Sequence, residues 1–281
     1  MNISSAILEG AKFLKSKYIS SANIDSEILM SKAINKNKNF ILLNSDIILT
    51  DKDIKIFKKL IRERSYGKPV AYITNKKCFW NSEFFITNET LIPRPDTELL
   101  IQCALDYCKN KNKLHVLDIG IGSGCILLSL LKEKKNFYGT GIDISKSTLN
   151  ICKINAINLN VTKRLKLFKT NVDKFKLGKY DLIISNPPYI NKIDFKYLDK
   201  DVVKFEPLLA LDGGLDGLSQ IKKVIDRSSK LLKKNGKFIL EIGFDQKNIV
   251  TEILKRKGFY INSVKKDLAN NDRCIVSTKI N

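Results

Sequence analysis

The sequence predicts an α/β protein: a small helical N-terminal domain, a β-hairpin linker, and a doubly wound sheet of parallel strands covered by helices on both faces. Three observations carry this. Apolar residues recur at helical spacing through the first 69 residues. From Leu114 onward short strand-like runs alternate with amphipathic segments, the pattern of successive right-handed strand–helix–strand units. The first of those strands runs directly into a glycine cluster that opens a helix.

Taken in order, Ser4 to Lys15 places Ile7, Leu8, Ala11 and Leu14 on one stripe, and Asn23 to Ala33 is expected to bury Ile24, Ile28 and Leu29. The Lys/Asn-rich stretch Asn35–Asn39 reads as a loop. Thr50 and Asp53 have the spacing of a capping box, and the helix they open carries Ile54, Phe57, Leu60 and Ile61 and ends at Gly67 and Pro69. Nothing in residues 1–69 looks catalytic. Residues 70–95 form a linker. Val70 to Thr87 is rich in aromatic and β-branched residues with turn-formers Asn75 and Asn81, which predicts a strand pair, while Pro93 and Pro95 hold an extended stretch. The catalytic domain then spans 96–281. A helix is expected from about Thr97 to Cys108. Strands are expected at 114–119, 137–143, 165–169, 180–185 and 237–242, and helices at 124–134, 146–157, 217–234 and 246–257. The C-terminal segment reads as two more strands joined by a polar turn.

Composition bounds the function. Of 281 residues 43% are hydrophobic and 28% charged, enough to build a core, so disorder is excluded as the main state. No apolar run approaches the length of a membrane span, and the first residues lack a basic region followed by an apolar stretch, so neither membrane nor secretion is expected. Six cysteines without a C-x-x-C pair fit reduced thiols in a cytoplasmic protein, and a single histidine, His115, argues against a metal site. The formal charge of +21 would attract a polyanion, but only 7 of the 50 basic residues are Arg and Asn occurs 25 times. That mixture points to A/T-rich coding more than to a phosphate-gripping surface, where Arg forks are favoured.

Two segments carry chemistry. Leu117-Asp-Ile-Gly-Ile-Gly-Ser-Gly124 is a strand, a tight turn and a helix start, where glycines let a ligand press against the main chain. Asp143 ends the next strand, where a carboxylate can hold a ribose diol. The glycine spacing departs from G-x-G-x-x-G, and the Asp118 carboxylate would repel a pyrophosphate but could accept from a cofactor's ammonium group, directly or through water, which counts against NAD. The second segment, Tyr180 to Ile190, is a strand ending in Asn186-Pro187-Pro188-Tyr189. The prolines stiffen the loop and remove two N–H donors, leaving the Asn186 side-chain oxygen and the Pro187 carbonyl as acceptors suited to a planar NH₂, with Tyr189 able to stack on it. In a doubly wound sheet the two segments meet at the topological switch point.

D-x-G-x-G-x-G resembles motif I of class I S-adenosylmethionine-dependent methyltransferases, whose sheet is Rossmann-like, and N-P-P-Y resembles the loop of those acting on adenine, guanine or glutamine NH₂ groups. Ile92-Pro-Arg-Pro-Asp-Thr-Glu98 and Glu206-Pro-Leu-Leu-Ala-Leu-Asp-Gly-Gly-Leu-Asp-Gly217 are more specific. With them the whole chain resembles the bacterial protein-(glutamine-N5) methyltransferases, the release factor glutamine methyltransferase family. As plain physics Arg94 and Asp96 read as an ion pair at a link, and Gly213-Gly214 as a turn. The resemblance implies transfer of a methyl group from S-adenosylmethionine to the glutamine of the Gly-Gly-Gln loop of class I release factors. It implies that Gly120, Ile121, Gly122, Ser123 and Gly124 line the cofactor and that Asp143 binds its ribose. Asn171 or Val172 meets the adenine, where relatives often have Asp followed by an aromatic residue. Asn186, Pro187, Pro188 and Tyr189 hold the glutamine, with Asn186 also near the cofactor; the catalytic set is Asn186, Pro187 and Tyr189. No general base is expected, since the single histidine, His115, is read as structural. The expected chain is a monomer that docks its protein substrate through the helical domain and needs no nucleic acid. The main alternative is a DNA or RNA base-amino methyltransferase using the same loop; it lacks a target-reading domain, and residues 1–69 carry 13 basic and 7 acidic residues, no more basic than the rest. An inactive cofactor-binding scaffold and a nicotinamide oxidoreductase rank below it.

Overall fold

In the computed structural model, which describes residues 1–280, the chain divides into two compact units. The first comprises Met1–Lys76 and Asp199–Phe205; the second comprises Lys77–Leu198 and the chain from Glu206 onward. Among the described residues no helix is long and apolar enough to cross a membrane.

The first unit begins with α1 (Ile3–Ser16), capped by the Asn2 side chain, which accepts from the Ser5 N–H. Next come α2 (Ala22–Ala33), α3 (Lys38–Leu43), α4 (Asp51–Ser65) and α5 (Val70–Thr74). The expected Thr50 cap is present: its hydroxyl accepts from the Asp53 N–H at 3.2 Å and donates to the Asp53 carboxylate at 2.7 Å. Two expectations need correction here. Helix α2 buries Ala22, Asp25, Ser26, Leu29, Met30 and Ala33, leaving Ile24 and Ile28 exposed. The reason is a close crossing with α1: a Cβ on Gly10 would stand 2.7 Å from Ser26 Oγ, and Ser26 donates to the Ile7 carbonyl, so the small-residue face of α2 must turn inward. Asp25 tolerates burial because Arg64 Nε donates to it at 2.7 Å while Arg64 Nη1 reaches Asp201 at 3.1 Å. The Asn35–Asn39 stretch is also no simple loop, since Asn37 accepts from the Phe40 N–H and opens α3.

Val70–Thr74, expected within a strand pair, is helical. Pro69 precedes its first residue, the Thr74 hydroxyl bonds back to the Val70 carbonyl, and Asn75 ends it in the left-handed region at φ 58°. The hairpin follows as β1 (Lys76–Phe79) and β2 (Ser82–Phe85), with Phe79 and Phe84 packed edge to face at 6.2 Å.

In the second unit a 3₁₀ turn at Pro95–Thr97 leads into α6 (Glu98–Tyr107). There follow β3 (His115–Ile119), α7 (Cys125–Glu133), β4 (Tyr138–Asp143), α8 (Lys146–Asn158), β5 (Leu165–Lys169) and β6 (Tyr180–Ser185). After α9 (Lys200–Phe205), which belongs to the first unit, come α10 (Ser219–Leu231), β7 (Leu232–Glu241), α11 (Lys247–Arg256), β8 (Phe259–Lys266) and β9 (Asp272–Lys279). The expected strand–helix alternation is therefore present, in a mixed sheet of order β5-β4-β3-β6-β7-β9-β8. Pairing is parallel from β5 through β7 and antiparallel for β9 on β7 and β8 on β9. One face packs α10 and α11 through Ile221, Val224, Ile225, Val250 and Leu254 against Leu117, Ile183, Phe238 and Leu240. Helix α7 buries five consecutive-turn aliphatics, Ile126, Leu127, Leu128, Leu130 and Leu131. From β3 the chain winds outward through β4 to β5, then returns to place β6 on the other side of β3. The switch point lies between β3 and β6, where Ile119 pairs with Ser185.

Candidate active site

Ser185 donates its hydroxyl to the Ile119 carbonyl at 2.7 Å, both residues being buried, and this bond sets the two strand ends side by side. The residue after each opens a loop: Gly120 on one side, Asn186 on the other. A cavity of about 410 Å³ lies over them, within the ordinary size of a small-molecule site. Gly120, Ile121, Gly122, Ser123, Asp143, Asn171, Val172, Asn186, Pro187 and Pro188 all line it, so the structure gathers ten of the twelve residues singled out from the sequence.

The glycine turn has φ values of 76°, 57° and 85° at Gly120, Gly122 and Gly124, a left-handed run closed to most side chains. Gly124 stands behind the cavity wall as a packing position: a Cβ there would come within 2.6 Å of Leu128 Cδ1 and 2.8 Å of Cys152 Sγ. The loop is held from two directions. Gly122 N–H donates to Asp143 Oδ2 at 3.2 Å, and the Asn155 amide donates to the Ser123 carbonyl at 2.9 Å while also exchanging bonds with both backbone groups of Phe85 in the hairpin. Asp143 accepts from Ser145 N–H through Oδ1, so each oxygen keeps acceptor capacity toward the cavity. Burial raises its pKa, opposed by the backbone N–H groups of Ser145, Gly122 and Ile144.

Asp118 lies behind the turn, 1% exposed, and neither oxygen has a hydrogen-bond partner of good geometry. Burial pushes it up to about 7, against a smaller downward pull from the Leu127 backbone N–H and an upward one from Asp143. The native state therefore holds this proton more tightly than the unfolded chain, and stability is lost as pH rises from the ordinary carboxylate range through about 7. Asp118→Asn is accordingly expected to raise the melting temperature of the ligand-free protein, by more at about pH 8 than at about pH 5, each kcal/mol appearing as roughly 2–4 °C. A calorimetric scan at both pH values checks this; an equal effect at both would contradict it.

On the other wall, Asn186 Nδ2 donates to Thr97 Oγ1 at 3.2 Å, leaving Asn186 Oδ1 as the free acceptor. Pro187 is buried beside it. Tyr189 is placed differently from the expectation. It does not line the cavity. Its ring packs on the core below the Arg273 guanidinium, 6.0 Å away, and its hydroxyl donates to Glu241 Oε1 at 3.3 Å, since the chain after Pro188 turns down toward β7. Burial and the neighbouring Glu241 charge raise the Tyr189 pKa. The glycines of the 206–217 segment explain this course. A Cβ on Gly213 would stand 2.8 Å from the Tyr189 carbonyl carbon, and one on Gly217 would stand 2.6 Å from the Tyr189 oxygen. Gln246 completes the clamp by donating to the Tyr189 carbonyl at 3.0 Å.

Arg94 pairs with Glu206, not with Asp96 as the sequence led us to expect, because Glu206 is buried where it also accepts from the Ile92 N–H. The two motif segments around 92–98 and 206–217 thus meet through one carboxylate at the cavity rim, to which Arg94 and Pro207 both contribute. Sequence reasoning gave no role to Glu206, Thr97, Glu241 or Asn155. It also passed over Glu89, which lines the cavity and accepts from Ser147. A lone acidic residue closing an apolar strand, as Glu241 does after Phe238-Ile-Leu, was the available signal. His115 stacks on Tyr138 at 5.6 Å, at the opposite end of β3 from the cavity. Among the described residues no cluster could hold a metal ion.

These features fit S-adenosylmethionine. A glycine turn open to the cavity, a carboxylate with spare lone pairs at the end of β4, and a buried carboxyl without a partner match an amino-acid and ribose-bearing cation. Asn171 and Val172 lie at the end of β5, with Asn171 Oδ1 accepting from the Asp173 N–H, and supply no aromatic face for a base.

Comparison with known proteins gives the family of the chain. Residues 5–74 match the family described as PrmC N-terminal domain, and residues 95–204 match the methyltransferase small domain. The chain is 37% identical to a release factor glutamine methyltransferase of Buchnera aphidicola, covering 94% of this chain and 95% of that protein. It is 34% identical to one from Clostridium acetobutylicum, covering 99% of each. A bifunctional methyltransferase of Rickettsia conorii is 36% identical over 94% of this chain, but the chain spans only about half, 55%, of that protein's length. Among solved structures, a Pyrococcus furiosus methyltransferase superposes with a TM-score of 0.54 at 18% identity, covering 80% of this chain and 98% of that one. A ribosomal protein L11 methylase from Lactobacillus delbrueckii gives 0.51 at 20% identity, covering 67% and 81%. At those identities the likeness is one of fold alone.

Proposed function

Because the chain belongs to the release factor glutamine methyltransferase family, we propose that it methylates the side-chain amide nitrogen of the glutamine in the Gly-Gly-Gln loop of class I peptide chain release factors. One observation supports this reading above others: the free acceptor of Asn186 and the Asp143-bound glycine turn share a single cavity, so a planar NH₂ group and a nucleoside cation can be held together. S-adenosylmethionine, when bound, supplies a methyl group activated by its sulfonium. Gly120 to Ser123 would hold its amino-acid portion, Asp143 the ribose hydroxyls, and Asn171 or Val172 the adenine.

What remains for the protein is alignment. An amide nitrogen is a poor nucleophile, because its lone pair is delocalised into the carbonyl. Asn186 Oδ1 and the Pro187 carbonyl accept the two N–H bonds and turn the lone pair toward the cofactor side of the cavity. Holding reactants in that relation is worth up to roughly 7–11 kcal/mol of effective concentration. As the nitrogen becomes tetrahedral its protons grow more acidic, so both acceptor bonds strengthen where they raise the rate. Tyr189 supports the loop from below through Glu241 and Gln246, a role we assign in place of stacking on the substrate. No side chain is assigned as general base, and the amide proton passes to solvent after transfer.

We assign the helical unit to docking of the release factor, and take the working protein to be a cytoplasmic monomer that needs no nucleic acid. The test is mass spectrometry of a purified release factor after incubation with the protein and S-adenosylmethionine. A gain of one methyl on the Gly-Gly-Gln glutamine is expected. Label entering DNA or RNA, with the release factor unmodified, would overturn the reading in favour of a base-amino methyltransferase.

A further inference from the structure

Residues 86–93 join the hairpin to the turn before α6 and enter no strand, yet Glu89, Thr90, Leu91 and Pro93 form one wall of the cavity. A turn closes the middle of the segment, with the Thr90 N–H donating to the Thr87 carbonyl at 3.1 Å and the Glu89 N–H to Thr87 Oγ1 at 3.2 Å. Helix α8 anchors it at two points. At the hairpin end, buried Asn155 accepts from the Phe85 N–H at 2.7 Å and donates to the Phe85 carbonyl at 2.9 Å. Two helical turns earlier, on the same face, the Thr148 hydroxyl donates to the Glu89 carbonyl at 2.8 Å. Beside it Ser147 Oγ donates to the Glu89 carboxylate at 2.6 Å. The anchors on α8 lie about 10 Å apart along the helix axis, and four residues of chain reach about 13 Å at most, so little slack remains between them.

The same bonds reach the loops assigned to the cofactor. A hydroxyl carries a single proton. Because the Ser147 proton goes to Glu89, the 2.8 Å contact between Ser147 and Ser145 is donated by Ser145. Ser145 Oγ then accepts from the Thr148 N–H and caps α8, while the Ser145 N–H donates to Asp143 Oδ1. Asn155 also donates to the Ser123 carbonyl of the glycine turn. One helix therefore grips the cavity wall, the Asp143 corner and the glycine turn together. Glu89, exposed at the edge of the cavity, is the outermost link.

We propose that Glu89 is a positioning residue: clasped by Ser147, it holds residues 85–91 against α8 as a strap that walls the cavity, and the clasp sets how slowly the cofactor leaves. The proposal deepens the reading of this cavity as the S-adenosylmethionine site and rests on it. The Glu89 carboxylate acts through Ser147 and α8 and need not touch the ligand. Releasing it would loosen the wall formed by residues 89–91, and a looser wall shortens residence more than it slows entry.

The experiment uses the full chain and S-adenosylhomocysteine, with affinity read by calorimetry and dissociation by surface plasmon resonance. Glu89 is exposed and Ser147 half-buried, so substitutions there leave the core intact. Glu89→Ala and Ser147→Ala are each expected to weaken binding about 5–20-fold, mostly through faster dissociation, the size of one lost carboxylate–hydroxyl bond at a partly exposed site. The double variant is expected to lose no more than about twofold beyond either single one. Glu89→Gln, which keeps an acceptor for Ser147, is expected to recover most of the affinity. Hydrogen exchange at the amides of residues 86–91 is expected to accelerate in both alanine variants with no ligand present. A Ser147→Ala protein that binds and releases the ligand as the wild type does would overturn the proposal, as would single losses that multiply in the double variant. A lower melting temperature with unchanged dissociation would also overturn it, leaving the clasp a structural contact. A wild type that binds S-adenosylhomocysteine and methylates no release factor would instead overturn the functional reading, and the dissociation rates would still decide the clasp.

Discussion

Asn186→Ala is expected to reduce kcat by about 10²–10³-fold, the usual cost of deleting one preorganised hydrogen-bonding group aimed at the reacting centre. The affinity for S-adenosylmethionine should stay within about threefold, because the glycine turn and Asp143 do not depend on the Asn186 side chain. The separation is legible in the structure: Asn186 is fixed from the Thr97 side, whereas Asp143 is fixed by Gly122 and Ser145. Single-turnover kinetics with saturating cofactor, set beside calorimetry, would read the two quantities independently. Retention of turnover within about tenfold would remove Asn186 from the centre of the mechanism.

Asp143→Ala should act on the other quantity. Its two oxygens accept from the Gly122 and Ser145 N–H groups, and the alanine would leave those amides without their acceptor while removing the carboxylate we assign to the ribose hydroxyls. We expect cofactor affinity to fall by about 10²-fold or more, corresponding to roughly 3 kcal/mol for a charged acceptor serving two hydrogen bonds. Asp143→Asn should lose less, since one amide oxygen still accepts. Calorimetric titration of both variants with S-adenosylhomocysteine would check the order, and equal affinity in wild type and Asp143→Ala would contradict the ribose assignment.

Much of the second unit could be read from the chain alone, and for a physical reason. Strands such as Val116 to Ile119 and Leu182 to Ile184 are buried on both faces of a parallel sheet, so they appear as apolar runs, broken in the first only by Asp118, and left-handed glycines follow the first. The helical unit was less legible. Ile24 and Ile28 invited burial, yet the approach permitted by Gly10 and Ser26 turned α2 by its small residues instead. Val70 to Thr74 has strand-forming composition and becomes a helical turn because Pro69 and Asn75 bracket it. Gly120, Asp143 and Asn186 were accessible because they end or immediately follow strands of the parallel sheet, a signal that Glu89, which lines the same cavity, lacks. Thr97 and Glu241 gave no such signal, because the contacts of Thr97 with Asn186 and of Glu241 with Tyr189 arise only when distant stretches of chain are brought together. Tyr189 shows the limit of motif reasoning: an aromatic next to two prolines suggests a stacking platform, but the glycines at 213 and 217 pull its backbone down and its ring into the core.

The first unit is not written in one continuous stretch. Seven of its residues, Asp199–Phe205, come from far downstream, and one of them, Asp201, gives Arg64 its second carboxylate. Cutting the gene at residue 76 would therefore orphan part of each fragment, and a transplanted N-terminal piece would carry an arginine with Asp25 as its sole remaining acidic partner. Keeping the Arg64–Asp201 pair in a transplanted helical unit would require both pieces to move together, which ties that unit to the segment beyond the N-P-P-Y loop.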